Sequence, residues 1–250
     1  RFAPGETAYE DDSVRLWHDG DGIGVLSFKS KMNTVGDGVL AGVRKAIDIA
    51  EQQFQGLVVW QTKEPFSAGA DLSGVLASLQ EGRIDDFRAM IGQFQATSMR
   101  IKYAQIPVVA AVRGMALGGG CEFQMHAART VFALESYIGL VEAGVGLLPA
   151  GGGLKEIALR VGSSGGDVFA GLKPYFEAIA MGKVSGSALE AKELKLARES
   201  DVVVFNSFEL LHVAKAQARA MAESAYRPPM PARDIPVAGS IGIATFKMML

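Results

Sequence analysis

The sequence predicts an α/β fold with a helical C-terminal portion, on three observations. Short apolar runs at 56–60 (GLVVW) and 108–112 (VVAAV) read as strands buried on both faces. Segments with apolar residues at helical spacing lie between such runs. Beyond residue 153 the helical pattern continues with little strand signal. Strands first, then βα alternation, then helices is the order of an α/β core with a helical end.

Residues 1–12 (RFAPGETAYEDD) show no period and read as a lead-in or linker. Residues 13–17 alternate as a strand, 18–22 (HDGDG) carry turn chemistry, and 23–28 form a second strand, together a hairpin. Residues 36–54 place Val39, Val43, Ala46, Ile47 and Ala50 at helical spacing. A loop of small residues covers 62–74. A helix over 84–104 follows and is stopped by Pro107. After the 108–112 strand come a glycine-rich turn at 114–120, a helix at 121–128 and a strand at 130–134. A second glycine-rich loop spans 144–153, and helices are expected at 154–181, 187–197 and 207–224. Residues 227–236 (RPPMPARDIP) hold four of the nine prolines and read as an extended linker. Residues 241–250 return to a helical pattern with an apolar end. The organisation is a lead-in at 1–12, a core at 13–197, a helical region at 198–226, and a proline-rich linker with a terminal helix at 227–250.

Composition narrows the function classes. Hydrophobic residues are 49% and charged residues 21%, as in a globular protein. A net charge of -2 gives no electrostatic case for nucleic acid or an anionic membrane as partner. The single cysteine, Cys121, excludes a framework of intrachain disulfides. No apolar run approaches the ~20 residues that span a bilayer, and the polar opening is not a signal peptide. A cytoplasmic location is the expectation. The chain opens on Arg1 rather than methionine, which suits a processed chain or a piece of a longer one.

Three glycine-containing loops stand out: 66–71 (FSAGAD), 114–122 (GMALGGGCE) and 149–153 (PAGGG). The first two follow predicted strands, where ligands sit in open α/β sheets. Two such loops can aim two backbone N–H groups at one carbonyl oxygen. The plainer alternative is tight turns and close helix–strand packing. Dinucleotide and phosphate-loop spacings are absent, so no separate cofactor is expected. Glu122 opens a helix after three glycines, and Glu142 sits in the mainly apolar stretch 138–148. Carboxylates in such surroundings are costly unless paired or protonated. Two near one water can share a proton, one acting as base and the other as acid. Each also reads as an ordinary helix-end or surface glutamate, and spacing alone does not bring them together. His18, His126 and His212 lack evident partners and read as structural. Ser67 has no histidine or lysine beside it to activate a nucleophile. Cys121 at a helix start has a reason for a lowered pKa but reads first as a packing residue. Asp71 reads as a cap, and no cluster has metal-ligand spacing.

Taken in order, these motifs resemble the crotonase (enoyl-CoA hydratase/isomerase) superfamily over residues 12–225. FSAGADL at 66–72 resembles its first oxyanion loop, and GMALGGGCE at 114–122 its second, with the first glutamate. IGLVEAGVGLLPAGGG at 138–153 resembles the segment carrying the second glutamate. GKVSGSALEAKELKL at 182–196 and the stretch at 201–203 resemble its later helical and strand-like segments. The resemblance implies a spiral of ββα turns assembled as trimers or pairs of trimers. It implies an acyl-CoA thioester as partner, with Ala68 and Gly119 donating N–H groups to the thioester oxygen. Ser67, Ala70, Asp71, Leu72 and Gly118 would border the substrate. Glu122 would deprotonate water and Glu142 would protonate the α-carbon. Residues 76–99 would line or cover the acyl group. Lys29, Lys31 and Lys63 are candidates for the coenzyme A phosphates, unless they are solvated surface lysines. The turn PAGGGLK departs from members with threonine after the glycines, and Lys31-Met32-Asn33-Thr34 matches the family's N-A-L segment loosely. Retention of both glutamates favours enoyl-CoA hydratase over a Δ3-Δ2-enoyl-CoA isomerase, another crotonase reaction such as hydrolysis or decarboxylation, or a non-catalytic acyl-CoA binding module. The two ends resemble the crotonase part of fused 3-hydroxyacyl-CoA dehydrogenase/enoyl-CoA hydratase proteins of fatty acid β-oxidation.

Overall fold

A computed structural model of the chain describes residues 5–72 and 81–249. Its frame is a seven-stranded sheet whose spatial order follows the sequence, β1 to β7. β1 (Glu6–Glu10), β2 (Val14–His18) and β3 (Ile23–Phe28) form an antiparallel meander. From β3 onward every neighbour is parallel. Parallel neighbours need a crossover. α1 (Asp37–Gln53) leads to β4 (Gly56–Trp60), and α2 (Ile84–Lys102) lies before β5 (Val108–Leu117). α3 (Gly119–His126) leads to β6 (Arg129–Gly139). Then come α4 (Gly153–Gly162), α5 (Val168–Ala180) and α6 (Ala188–Glu193). β7 (Val202–Val204), α7 (Leu210–Glu223) and α8 (Gly239–Met249) complete the order.

The apolar runs of the strands are explained by burial on both sheet faces. Side chains alternate across a strand. Leu57, Val59, Val108, Ala110 and Val112 join one core with α1, α2 and α3. Their neighbours Val58, Trp60, Val109 and Ala111 join a second core, closed by Leu210, Leu211, Ala214 and Ala218 of α7. Lys215 of the same helix is nearly buried and pairs with Asp19 and Asp21 in the β2–β3 turn. No described helix is long and apolar enough to cross a membrane.

The predicted class, α/β with a helical C-terminal portion, is the observed one. Several boundaries differ: the strand expected at 130–134 runs from Arg129 to Gly139, the helix expected at 187–197 covers Ala188–Glu193, and three further differences have a clear cause. Part of the expected lead-in is β1, because Glu6 to Glu10 find an edge partner in β2. The expected turn at 114–120 is strand up to Leu117. The β5–β6 ladder is interrupted between Val112 and Gly114, where Gly114 takes φ 62°, and then resumes to pair Leu117 with Gly139. The helix expected over 154–181 is two helices. Asp167 caps the second by accepting from the N–H groups of Phe169 and Ala170.

Candidate active site

The prolonged β5–β6 pair carries the chain to one cavity of about 480 Å³. Ala68, Gly69, Ala70 and Leu72 border it from the first glycine loop, and Gly118, Gly119 and Glu122 from the start of α3. Glu142, in a 3-10 turn (Glu142–Val145) just beyond β6, lies across from them. The rest of the wall is largely apolar. Phe87, Met90, Ile91 and Phe94 come from α2, within the span expected to hold the acyl group. Residues 76–80 of that span lie outside the described residues.

The two glutamates that sequence spacing left apart therefore meet at one cavity. Glu122 is 2% exposed. Gly153 N–H donates to its Oε1 at 2.8 Å. Burial, then the charge of Glu142, pushes the Glu122 carboxyl up to about 7, while the amides of Gly153, Gly151 and Gly152 pull it back. Burial likewise pushes Glu142 up to about 7, against its own amide and that of Val141. Glu142 Oε2 is buried and has no hydrogen-bond partner among the described residues. Such an oxygen is an acceptor without a donor, so a proton on it relieves the site.

The glycines serve close approach. Gly118 adopts φ 49° and ψ -120°, and a Cβ there would lie 3.2 Å from Glu142 Oε1. Gly119 is the first residue of α3, so its N–H has no carbonyl one turn behind it. The Ala68 N–H is engaged. It donates to the Met32 carbonyl at 3.1 Å, in a 3-10 turn (Lys31–Asn33) where Met32 takes φ 55°. Sequence reading missed this contact, because nothing in a string of small residues shows what faces an amide.

The expected substrate contacts divide. Ala70, Leu72 and Gly118 border the cavity, and Ser67 and Asp71 do not. Ser67 is fully buried, and its Oγ accepts from Gly69 N–H at 3.1 Å, so it shapes the loop from behind. Asp71 is exposed at the loop's far end. Among the lysine candidates, Lys29 is occupied by Glu10 at 3.0 Å and by the Asp11 carbonyl at 2.6 Å. Lys31 and Lys63 are exposed. Burial pushes the Cys121 thiol up, which removes the reactive-thiol reading. His126, expected to lack partners, has one at Nδ1, Glu122 O at 2.6 Å, while its Nε2 is buried 3.6 Å from Glu156 Oε1 with no hydrogen-bond partner among the described residues.

Residues 19–170 match the family model for enoyl-CoA hydratase/isomerase. A protein of Bacillus subtilis (strain 168) described as a probable 3-hydroxyacyl-CoA dehydrogenase is 40% identical over 225 residues, 90% of this chain and 28% of that protein. The fatty acid oxidation complex subunit alpha of Psychrobacter cryohalolentis is 30% identical over 147 residues, 59% of this chain and 20% of that protein. The chain thus spans less than a third of the length of these relatives. Among solved structures, an enoyl-CoA hydratase from Bacillus anthracis superposes with a TM-score of 0.65 at 23% identity, covering 85% of this chain and 76% of that one. That likeness speaks for the fold alone.

Proposed function

The chain belongs to the enoyl-CoA hydratase/isomerase family, and from that premise we propose that it is an enoyl-CoA hydratase of fatty acid β-oxidation. It would add water to a trans-2-enoyl-CoA to give the 3-hydroxyacyl-CoA. The observation that carries the reading is a pair of carboxyls at one apolar cavity, Glu122 buried and Glu142 half-buried, both pushed up to about 7. Two like charges so placed favour a shared proton, one group ionised and the other protonated at neutral pH.

Ionised Glu122 takes a proton from water as the water oxygen bonds to the β-carbon. Protonated Glu142 delivers its proton to the α-carbon, so one water adds and the pair ends with its proton exchanged. Charge gathers on the thioester oxygen as the enolate forms. Gly119 N–H is available to that oxygen, and Ala68 N–H joins it by leaving Met32 O. Removing one such donor typically costs ~10²–10³ in rate. The apolar wall from α2 suits a hydrocarbon chain. The substrate brings coenzyme A with it, so no separate cofactor enters the reaction. The greater length of the relatives supports a place as one activity of a larger β-oxidation protein.

The test is loss of the conjugated thioester absorbance of crotonyl-CoA, and of longer trans-2-enoyl-CoA, with wild type, Glu122→Gln and Glu142→Gln. Turnover by wild type with a fall of at least ~10² in both variants is expected. Rapid conversion of a 3-enoyl-CoA to the 2-enoyl isomer with little hydration would make the chain an isomerase. Binding without turnover would make it a binding module.

A further inference from the structure

Beside the two carboxyls lies a buried polar cluster that neither lines the cavity nor touches substrate space. His126, one helical turn after Glu122, has a side chain 0% exposed, and Glu156 in the first turn of α4 is 2% exposed. His126 Nδ1 lies 2.6 Å from the Glu122 carbonyl. A carbonyl only accepts, so Nδ1 carries a proton. Burial pushes the imidazole down to about 4 against the charge of Glu156, so the ring is neutral at pH 7. Burial also opposes ionisation of Glu156. His126, Lys102 and Lys155 outweigh it and hold that carboxyl at about 2. With the ring neutral, the balancing charge is that of Lys102, 2.5 Å from Glu156 Oε1, and of Lys155 on the same oxygen.

The imidazole also lies against the turn that holds Glu122. A Cβ on Gly152 would come within 2.7 Å of His126 Cε1 and 2.8 Å of Nε2, at a backbone φ of 123°. Gly152 stands between Gly151 and Gly153, and Gly153 N–H is the donor to Glu122 Oε1. Glu156 closes the loop, since its own N–H donates to the Gly152 carbonyl at 2.9 Å. One ring thus spans the backbone of Glu122 and the turn that binds the Glu122 carboxyl.

We infer that His126 is a positioning residue. Its hydrogen bond to the Glu122 carbonyl and its packing on Gly152 set the spacing between α3 and the turn of Gly151, Gly152 and Gly153. That spacing fixes the Gly153 N–H bond to Oε1 and leaves Oε2 as the oxygen that meets water. Glu156, neutralised by the two lysines, backs the ring. The inference rests on the hydratase reading above. The titratable and charged groups around Glu122 are Glu142 beyond β6, His126 and Cys121 on α3, Lys102 on α2, and Lys155, Glu156 and Arg160 on α4. Loosening the turn withdraws the glycine amides, which raises the pKa of Glu122. The base is then ionised only at higher pH, so the acidic limb of the rate profile moves up.

The experiment measures crotonyl-CoA hydration across about pH 5 to 9, with thermal melting, for wild type, His126→Phe, His126→Gln and His126→Asn. Phenylalanine keeps a ring against Gly152 but has no donor. Glutamine carries its amide beyond the Nδ1 position, whereas asparagine puts an N–H donor there. His126→Phe is expected to lower kcat about tenfold or more with KM within about twofold, and to raise the acidic limb by at least about half a pH unit. His126→Asn is expected to recover most of that loss. If His126→Phe melts lower yet keeps wild-type kcat and the same acidic limb, the residue only packs and the inference fails. Should that variant not fold, His126→Gln supplies the same two readouts with the same meaning. Absence of wild-type turnover on every enoyl chain would instead sink the hydratase reading, and this assignment with it.

Discussion

Gly151→Ala adds one methyl group to the most crowded point of the site. Gly151 is outside the left-handed region that Gly152 occupies, so its backbone accepts alanine. Its surroundings do not. A Cβ there would lie 2.5 Å from Phe94 Cδ1 and closer still to Glu122 Oε2. Unstrained contacts between carbons are about 3.5–4.0 Å, so something must retreat by about 1 Å. Phe94 has little room, since it also lies close against Gly119 and meets the Phe123 ring in a tilted arrangement with centroids 5.2 Å apart. The Glu122 carboxyl is therefore the group that moves. A misplacement of about 1 Å costs on the order of 10²-fold in rate, about 2.7 kcal/mol of activation free energy. Crowding of this kind also destabilises by about 1–3 kcal/mol. Crotonyl-CoA hydration and thermal melting measure the two effects separately. Gly144→Ala is the control, on the Glu142 turn with no atom within 4 Å of its Cβ position. If Gly151→Ala keeps activity within about threefold of the control while folded, the turn relaxes freely and the geometry assigned to Glu122 is wrong.

The pH dependence follows from the two raised carboxyls. Hydration needs one ionised and one protonated, so kcat/KM should peak near neutrality and fall on both sides; a flat profile from about pH 5 to 9 would contradict the shared proton. The same shift makes a stability statement for Glu142. Its folded pKa, about 7, lies above the ordinary carboxylate value. The fold thus binds the proton more tightly, and this stabilisation, complete below the ordinary value, is lost as pH rises through 7. Glu142→Gln should stabilise the fold at pH 8 by on the order of 3 kcal/mol, read as a higher melting temperature, and change it little at pH 5. A variant that melts below wild type at pH 8 would count against a buried carboxylate there.

Much of this architecture was legible because binary patterning alone sets it. GLVVW and VVAAV are apolar at consecutive positions because both sheet faces are covered, and a strand buried on both sides has no polar alternation to hide it. The glycine loops were legible as places of close approach. Their partners were not: that Gly118 makes room for Glu142, and Gly151 for Glu122, is a matter of elements far apart in the chain. β1 was missed because an edge strand with one paired side needs little apolar signal. The helix expected over 154–181 was overextended because SSGGD at 163–167 sits between two amphipathic stretches whose periods join smoothly. His126 had one cue, its i, i+4 spacing from Glu122, and Glu156 had its place in the first turn after a glycine run. Neither cue distinguishes a buried positioning pair from a solvated helix face.

Under the proposed hydration, the Met32 carbonyl would give the resting site a property that a free oxyanion donor lacks. With Ala68 N–H already satisfied at 3.1 Å, an entering thioester oxygen would replace one hydrogen bond by another and gain little in the ground state. An enolate oxygen is a far stronger acceptor than a peptide carbonyl, so the exchange becomes favourable as charge develops. Under hydration, this contact spends little energy on binding and more on the transition state. What holds Met32 in place is Asn33. Its Nδ2 donates to the carbonyls of Lys63 at 3.1 Å and Pro65 at 2.6 Å, and its φ of 52° suits asparagine better than alanine. Each such bond contributes about 0.5–1.5 kcal/mol. Asn33→Ala should therefore loosen the turn, weaken the competition of Met32 for Ala68, and lower KM severalfold while kcat stays near wild type. Steady-state kinetics on crotonyl-CoA reads both constants. A KM that rises instead would mean that the turn supports the substrate rather than competing with it, and Ala68 would then have to be freed by another route or play no part as a donor.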